Sequence, residues 1–399
     1  MHKSIHSNFF IDNVNTKYIP EDDKYLYATS KPKYQFAVIG TGTMGQEHMR
    51  VTMMEGRAGI RGIYDPVPSV MERAAEGFNE LFPNMPLISY KSLEDVLKDP
   101  EVDGLVIASP NYTHLDVVKQ AITSGKHILL EKPMATTLKD ATEIKKLSKG
   151  YTSVFRIGLQ YRYKPIYAEA IHEALHRRTI GDIKTIAILE HRLPFLDKVK
   201  QWNKFNKYSG GTLVEKCCHY FDLMNLFAGS KPVSVYAQGG MAVNFKDLVY
   251  DGEKSDILDH AGVLILYENG VRANFDLVMF APMFYEEFTL CGDKGRIRTH
   301  EREDFLPDSQ RSTYFEALCG ENGVSKISTP CYPAKIQTSG HFGATYYEHK
   351  SFIDAIEGLE TISATVDEGY WSIVVGAAAE ESVKTGEIVR ISDFMEGVL

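Results

Sequence analysis

Several features are scarce or missing in this sequence. It has no apolar run of the roughly 18 residues that a membrane-spanning helix needs, and its N-terminus lacks the apolar core of a signal peptide. Its five cysteines are an odd number without Cys-x-x-Cys spacing, which predicts neither a disulfide framework nor a metal site. The adjacent Cys217 and Cys218 precede His219, but the side chains of neighbouring residues diverge, so we expect no metal there either.

Positive charge is also in deficit. The chain has 44 Lys and Arg against 53 Asp and Glu, a net charge of -9, and no basic run is interleaved with aromatic residues. This balance argues against a nucleic-acid partner. We therefore expect a cytoplasmic protein that acts on a small molecule, away from membranes.

The length of 399 residues exceeds one ordinary core and favours two domains. From Tyr34 to Phe155, four short apolar runs alternate with helical segments, which predicts βαβ units and a doubly wound parallel sheet of the Rossmann type. The runs are YQFAVIG, GIRGIYD, DGLVIASP and KHILLEKP. We accordingly assign residues 34–155 to a dinucleotide-binding domain and residues 156–399 to a second domain.

The motif GTGTMG, residues 40–45, fits a dinucleotide site. It matches Gly-x-Gly-x-x-Gly through Gly40, Gly42 and Gly45, with Thr43 and Met44 between them, and it follows a strand and precedes a helix. Glycine permits the tight turn, the close approach of a pyrophosphate and the close contact of helix and strand.

Asp65 ends the second strand, where an acid holds a ribose 2′-hydroxyl. Its carboxylate would repel a 2′-phosphate, and Pro66, Val67 and Pro68 supply no cation to offset that repulsion. The sequence therefore favours NAD over NADP. The alternative is that Asp65 only starts the turn that follows.

The third strand ends in ASPNYTH, residues 108–114. Ligands of an open parallel sheet lie beyond the carboxyl ends of its strands, so Ser109, Asn111 and His114 are predicted to border the cofactor. For His114, a role in capping its helix is an equal alternative.

These motifs, together with EKP after the fourth strand and SGGTLVEKCCHYFD at residues 209–222, resemble the Gfo/Idh/MocA family of oxidoreductases. The resemblance runs from about Tyr34 to the C-terminus. It implies an α+β second domain built on a large, mostly antiparallel sheet that often serves in oligomerisation, here as a homodimer or homotetramer. Short alternating runs such as IKTIAILEH and GVLILYENG independently predict antiparallel strands and hairpins.

Lys132 of the EKP motif is the predicted proton carrier. Removing a hydride from an alcohol requires that its proton leave too, and we expect burial and a positive nicotinamide to lower the pKa of this lysine. Strand alternation should send Glu131, a further predicted cofactor contact, to the opposite side. The resemblance suggests a cis Lys132–Pro133 bond. A surface salt bridge is the alternative reading.

Glu215, His219 and Asp222 recur at helical spacing and are predicted to share one face. In the family, an acid and the histidine of this motif reach the substrate hydroxyls, and the histidine assists proton transfer. Here the first acid is glutamate instead of aspartate, so either the sugar sits differently or Glu215 bonds Lys132 or His219. The alternative for His219 is a buried core residue.

Weaker candidates complete the predicted site. The resemblance implies that the crossover segment GLQYRYKP, residues 158–165, contacts nicotinamide and substrate, and that SGHFGATYYEH, residues 339–349, is a late active-site loop. Trp202 could line the cleft or belong to the core. These segments supply the remaining candidates Gln160, Arg162, Trp202, His341 and Tyr346.

Residues 1–33 lie outside the resemblance and are predicted to form an arm on a neighbouring subunit, or else a disordered tail.

The sequence thus favours an NAD-dependent oxidoreductase acting on a secondary hydroxyl of a sugar, polyol or glycoside. One alternative is a glycosidase that oxidises and re-reduces its sugar with bound NAD, although relatives of that kind lack the EKP lysine. The other is a non-catalytic NAD-binding sensor, which should have lost Lys132 or His219.

Overall fold

A computed structural model describes residues 32–307, 309–320 and 323–398. The predicted N-terminal arm, residues 1–33, lies outside the described residues except for its last two. None of the helices in the described segments is both long and apolar enough to cross a membrane.

The N-terminal half forms a six-stranded parallel sheet with the strand order β3-β2-β1-β4-β5-β6. This arrangement confirms the predicted Rossmann architecture. Strands β1, β2, β4 and β5 are the four predicted runs, whereas the two outer strands were not predicted. The strands are β1 Tyr34–Ile39, β2 Ala58–Tyr64, β3 Ile88–Ser89, β4 Gly104–Ile107, β5 His127–Glu131 and β6 Phe155–Gly158.

Helices connect these strands at the predicted places. Ser92 caps α3 by accepting a hydrogen bond from the backbone N–H of Asp95, and Thr137 caps α5 in the same way through Asp140. Such caps satisfy backbone donors that the first helical turn leaves without partners. The helices are α1 Thr43–Glu55, α2 Pro68–Leu81, α3 Leu93–Lys98, α4 His114–Ala121 and α5 Leu138–Leu147.

The C-terminal half is built on a nine-stranded sheet with the order β16-β15-β14-β13-β7-β12-β11-β8-β17. Its pairs are antiparallel except β7 with β12, which confirms the prediction of a mostly antiparallel sheet. The strands are β7 Ile183–His191, β8 Pro232–Gly240, β11 His260–Tyr267, β12 Arg272–Val278, β13 Met283–Gly292, β14 Gly295–Asp304, β15 Ser312–Cys319, β16 Lys326–Ser328 and β17 Val389–Arg390; β9 Val249–Tyr250 and β10 Glu253–Lys254 form a separate hairpin.

Helices cover one face of this sheet, and the alternating burial along β11 leaves the other face open, with Leu264 and Leu266 exposed. The predicted homodimer or homotetramer remains a prediction. The helices are α6 Pro165–Ile171, which continues into a π-turn, α7 Asn206–Ser209, α8 Thr212–Glu215, α9 Cys218–Ala228, α10 Ala334–Gln337, α11 Ala344–Ile356, α12 Val366–Thr385 and α13 Ile391–Val398.

The two halves share a core. The domain boundary that we predicted after residue 155 does not coincide with the end of the first sheet. Strand β6 extends that sheet to Gly158. Helix α11 returns to the first domain, where Phe352 packs on Phe36 with ring centroids 5.6 Å apart. Helix α11, from the C-terminal half of the chain, therefore packs against the dinucleotide domain next to the end of β5.

Candidate active site

The glycine motif shapes the crossing of β1, α1 and β4. Gly40 has a φ of +88°, and a Cβ atom there would lie 2.5 Å from the Ser109 nitrogen; one at Gly45 would lie 2.0 Å from the Gly40 oxygen. A Cβ at Gly42, by contrast, would point into open space. This is the geometry that a pyrophosphate needs at the N-terminus of α1, where Thr43 is exposed. The residues present therefore fit a dinucleotide.

Asp65 lies beside this loop at the end of β2. One of its carboxylate oxygens accepts a hydrogen bond from the Thr41 backbone N–H at 2.9 Å, and the other accepts from the Val67 N–H at 2.9 Å. The carboxylate therefore starts the following turn and is held next to the glycine loop at the same time. The two interpretations of Asp65 are compatible.

The turn after β4 differs in part from expectation. Ser109 is half-buried against Gly40, and Asn111 is 7% exposed; their contacts with the cofactor remain predictions. His114 is fully buried, with Nδ1 2.9 Å from the Pro133 oxygen and Nε2 3.0 Å from the Ser109 oxygen. Burial lowers the pKa of His114. The prediction that His114 contacts the cofactor is wrong, because its ring instead ties two loops together.

Glu131 and Lys132 point in opposite directions, as strand alternation requires. The Glu131 carboxylate is buried, 2.8 Å from His48 Nε2, while the Lys132 ammonium donates to the Glu215 backbone oxygen at 3.2 Å. The Lys132–Pro133 bond is cis, as the resemblance suggested. Because Glu131 is turned into the protein, its predicted side-chain contact with the cofactor is not supported.

The Lys132 ammonium faces an acid across the domain boundary. Its Nζ lies 3.7 Å from Oε1 of Glu215, and the two side chains are 15% and 12% exposed. Burial alone lowers the pKa of Lys132, but the Glu215 carboxylate, with smaller contributions from Cys218 and Glu131, raises it above its ordinary value. The predicted lowering of this pKa is therefore wrong for the protein without cofactor, and the ammonium form prevails.

His219 lies on α9 and is 2% exposed, with its ring stacked on Tyr161 at a centroid distance of 4.0 Å. Burial, followed by the charges of Lys132 and Lys216, lowers its pKa well below the usual range, so the ring is neutral. Its Nδ1 has no hydrogen-bond partner among the described residues. A neutral imidazole with one unpaired nitrogen can hydrogen-bond a bound ligand, whereas its lowered pKa opposes taking up a proton.

The predicted shared face of Glu215, His219 and Asp222 is wrong, because the helix is interrupted. Helix α8 ends at Glu215, and α9 begins at Cys218. Glu215 consequently faces Lys132, whereas Asp222 is buried against Arg162, with carboxylate contacts of 2.7 Å and 2.5 Å.

Arg162 is also wrong as a substrate contact. Its side chain is 2% exposed and is shared between Asp222 and Glu368, the latter at 2.9 Å. Both amide atoms of Gln160 are buried and lack hydrogen-bond partners within the described segments. Gln160 therefore has free hydrogen-bonding capacity beside the end of β5, where a cofactor amide would satisfy it.

The last three candidates, Trp202, His341 and Tyr346, differ in their exposure and contacts. Trp202 is partly exposed, and its ring meets Tyr112 edge-on at 6.3 Å, in the loop after β4. His341 is 34% exposed and bonds Glu47 of α1 at 2.7 Å. Tyr346 is 1% exposed within a small core cluster, so its predicted substrate contact is wrong.

A second cation near the site was not assigned a role from the sequence. Lys216 is 7% exposed, donates to the Tyr161 hydroxyl at 2.7 Å and pairs with Glu190 at 3.0 Å. Tyr161 in turn stacks on His219. The only sequence signal was the position of Lys216 within EKCCH, since its partners come from distant segments.

The site as a whole combines a dinucleotide cradle with a proton-bearing lysine, a neutral histidine and an acid at the same edge of the sheet. Such a set can bind a nicotinamide dinucleotide and move a proton beside it, which defines a dinucleotide-dependent oxidoreductase.

The chain belongs to the Gfo/Idh/MocA oxidoreductase family. Residues 34–159 match the family's NAD-binding Rossmann domain, and residues 172–391 match its C-terminal alpha/beta domain. The match confirms the resemblance stated from the sequence.

Relatives cover nearly the whole chain at low identity. Inositol 2-dehydrogenase of Rhizobium meliloti is 22% identical, covering 90% of this chain and 99% of its own. The 1,5-anhydro-D-fructose reductase of Ensifer adhaerens is 25% identical, covering 90% and 98%. A structure of levoglucosan dehydrogenase with NADH and levoglucosan has a TM-score of 0.74 at 19% identity, covering 90% and 99%. The structural likeness supports the fold.

We expect Arg162→Met to lower the free energy of unfolding by about 3–5 kcal/mol, because it leaves the buried Asp222 carboxylate without its main partner. Denaturant unfolding measures this change. The double variant Arg162→Met/Asp222→Leu should recover much of the loss, since it removes both charges. A raised KM with unchanged stability would instead restore Arg162 as a substrate contact.

Proposed function

We propose that the protein is an NAD-dependent oxidoreductase that transfers a hydride between NAD and a secondary hydroxyl of a sugar, polyol or glycoside. The observation that carries this proposal is the placement of the Lys132 ammonium, partly exposed, against Glu215 at the carboxyl edge of the parallel sheet. The relatives named above include an inositol dehydrogenase and a levoglucosan dehydrogenase, which supports the carbohydrate class.

Lys132 carries the proton in this proposal. The bound nicotinamide would supply the hydride acceptor, while the neutral lysine amine takes the proton of the alcohol. In the reverse direction the ammonium returns that proton to the ketone oxygen. The raised pKa of Lys132 favours the ammonium, so reduction starts from the form that prevails in the free protein.

His219 and Glu215 support this step in different ways. The neutral, buried imidazole of His219 offers Nδ1 as a hydrogen-bonding group beside the substrate hydroxyl. Glu215 holds the lysine side chain in place and sets its charge. We assign Lys132 the proton transfer, His219 an assisting role and Glu215 a positioning role.

The proposal is tested by screening polyols, aldoses and glycosides with NAD, following the absorbance of NADH. We expect a substrate that reduces NAD, with kcat about 10²–10⁴ lower in Lys132→Ala because the acid–base group is lost. Lys139→Ala, an exposed lysine on α5, is the matched control and should keep its activity.

Other outcomes favour the two alternatives. NAD binding without reduction by any substrate would favour a sensor, and release of an aglycone without net NADH would favour a glycosidase. Full activity in Lys132→Ala would remove this lysine from the mechanism.

We expect Glu215→Gln to shift the pH profile of alcohol oxidation. Oxidation needs the neutral amine, so kcat/KM rises with pH through the pKa of Lys132. Burial lowers that pKa and Glu215 raises it, so removing the carboxylate should move the rising limb to lower pH. Glu94→Gln, a 69% exposed site on α3, should leave the profile unchanged. An unmoved limb in Glu215→Gln would mean that another group titrates.

We infer that Asp65 selects NAD over NADP, because a carboxylate beside the glycine loop repels a 2′-phosphate. Wild type should prefer NAD in kcat/KM, and Asp65→Asn, which keeps the shape but loses the charge, should narrow the preference by at least about tenfold. Equal use of both cofactors by wild type would contradict this inference.

A further inference from the structure

A buried cluster lies behind the EKP turn, on the side away from Lys132. It consists of His48 on α1, Glu131 at the end of β5 and Glu348 on α11, which are 0%, 4% and 2% exposed. One ligand atom from each residue lies within 4.8 Å of the other two. We call these three residues the His–Glu–Glu cluster.

Hydrogen bonds determine which nitrogen of the His48 ring carries a proton. Thr52 donates its hydroxyl proton to the His48 oxygen at 2.7 Å, so it accepts from Nδ1 of His349 at 3.1 Å. The His349 ring is 0% exposed, and its hydrogen-bond partners Thr52 and His48 carry no negative charge, so the neutral ring is favoured. Its Nε2 is then a bare acceptor, 2.8 Å from Nδ1 of His48.

His48 must therefore carry its proton on Nδ1, which leaves Nε2 directed at the carboxylates. A metal-bound histidine commonly has this arrangement, with one nitrogen on the ion and the other donating to a second group that holds the ring. Nε2 lies 2.8 Å from Oε1 of Glu131, so some positive species, either a proton or a metal ion, must sit between them.

The environment of Glu348 favours a metal ion over a proton. Both of its carboxylate oxygens are buried and lack hydrogen-bond partners among the residues that the structure describes. A proton would remove the charge, yet it would still leave a buried hydroxyl and a buried carbonyl unsatisfied, at a cost of about 1–3 kcal/mol for each group. A cation bound by the carboxylate would satisfy it directly.

The surrounding charges favour a cation as well. Glu131 and Glu348 place two carboxylates in a space where neither residue is more than 4% exposed. Glu47 is already paired with His341, and the ammonium of Lys132 is engaged with Glu215 on the other side of the strand. His48 is the one basic residue of the cluster itself, set against two buried carboxylates.

We propose that the His–Glu–Glu cluster binds one divalent transition-metal ion, with Zn²⁺ as the best match to one imidazole and two carboxylates. Zinc takes such ligands at about 2.0–2.2 Å, so His48 Nε2 and Glu131 Oε1, now 2.8 Å apart, would separate slightly and Glu348 would move toward them to surround an ion. A water molecule would complete four-coordination.

The ion would have a structural role. Its three ligands come from α1, β5 and α11. The ion would therefore join helix α11 to the dinucleotide domain, on the side of the EKP turn opposite Lys132. This inference is independent of the proposed reaction.

The test uses the full-length protein without a histidine tag, stripped with a chelator and titrated with Zn²⁺ and with Co²⁺. We expect wild type to bind about one ion per chain by elemental analysis, to unfold at a higher temperature with Zn²⁺, and to show the visible absorption of four-coordinate Co²⁺. Glu348→Gln should weaken zinc binding at least tenfold, since it removes a charged ligand without changing the shape of the side chain.

Glu47→Gln is the matched control. It makes the same charge change one residue from His48, at a carboxylate paired outside the cluster, and it should bind zinc as wild type does. Circular dichroism confirms that each variant is folded. Failure of wild type to bind zinc, or equal binding by Glu348→Gln, would overturn the proposal and assign the cluster a proton instead.

Discussion

The contact between the Lys132 ammonium and the Glu215 carboxylate depends on both domains at once. Lys132 stands where β5 leaves the parallel sheet, and Glu215 ends a four-residue helix that follows two glycines with positive φ. A Cβ on Gly210 would lie 2.4 Å from the Thr136 oxygen, in the loop that follows EKP. Only glycine lets the second domain approach this closely, and that approach gives the lysine its carboxylate.

In the crossover segment, residues 158–165, two buried cations each lie between two acids. Lys164 lies between Glu286 and Glu301 at 2.7 Å and 3.1 Å, and Arg162 lies between two acids in the same manner. Removing one member of such a group leaves an uncompensated charge. Ion pairs thus hold the crossover segment 158–165 in place. Because its cations are occupied by these acids, they are not available to a substrate.

The fold and the cofactor loop could be predicted from the sequence because their signals are local. GTGTMG, the apolar runs and the Asn269–Gly270 hairpin each lie within a few residues of chain. The errors concern partners that are distant in sequence. Arg162 was assigned to the substrate through the family resemblance of its segment, while its partners Asp222 and Glu368 lie far along the chain. Strand β6 was missed because four residues give too little pattern.

Partners that are distant in sequence also explain why the direction of the Lys132 pKa shift was predicted wrongly. Burial can be inferred from the end of a core strand, but the sign of the shift depends on which charges arrive from elsewhere. Here Glu215, Cys218 and Glu131 together outweigh burial, and the break between α8 and α9 that directs Glu215 toward Lys132 has no clear local signal in EKCCHY.

The replacement of the family's aspartate by Glu215 now has a physical interpretation. At 3.7 Å from Lys132, the glutamate contacts the lysine at the edge of ion-pair range, and an aspartate, shorter by a methylene group of about 1.5 Å, would withdraw from it on the same backbone. The longer side chain therefore acts on the charge of Lys132. Of the possibilities left open by the sequence, the structure favours a glutamate that bonds Lys132.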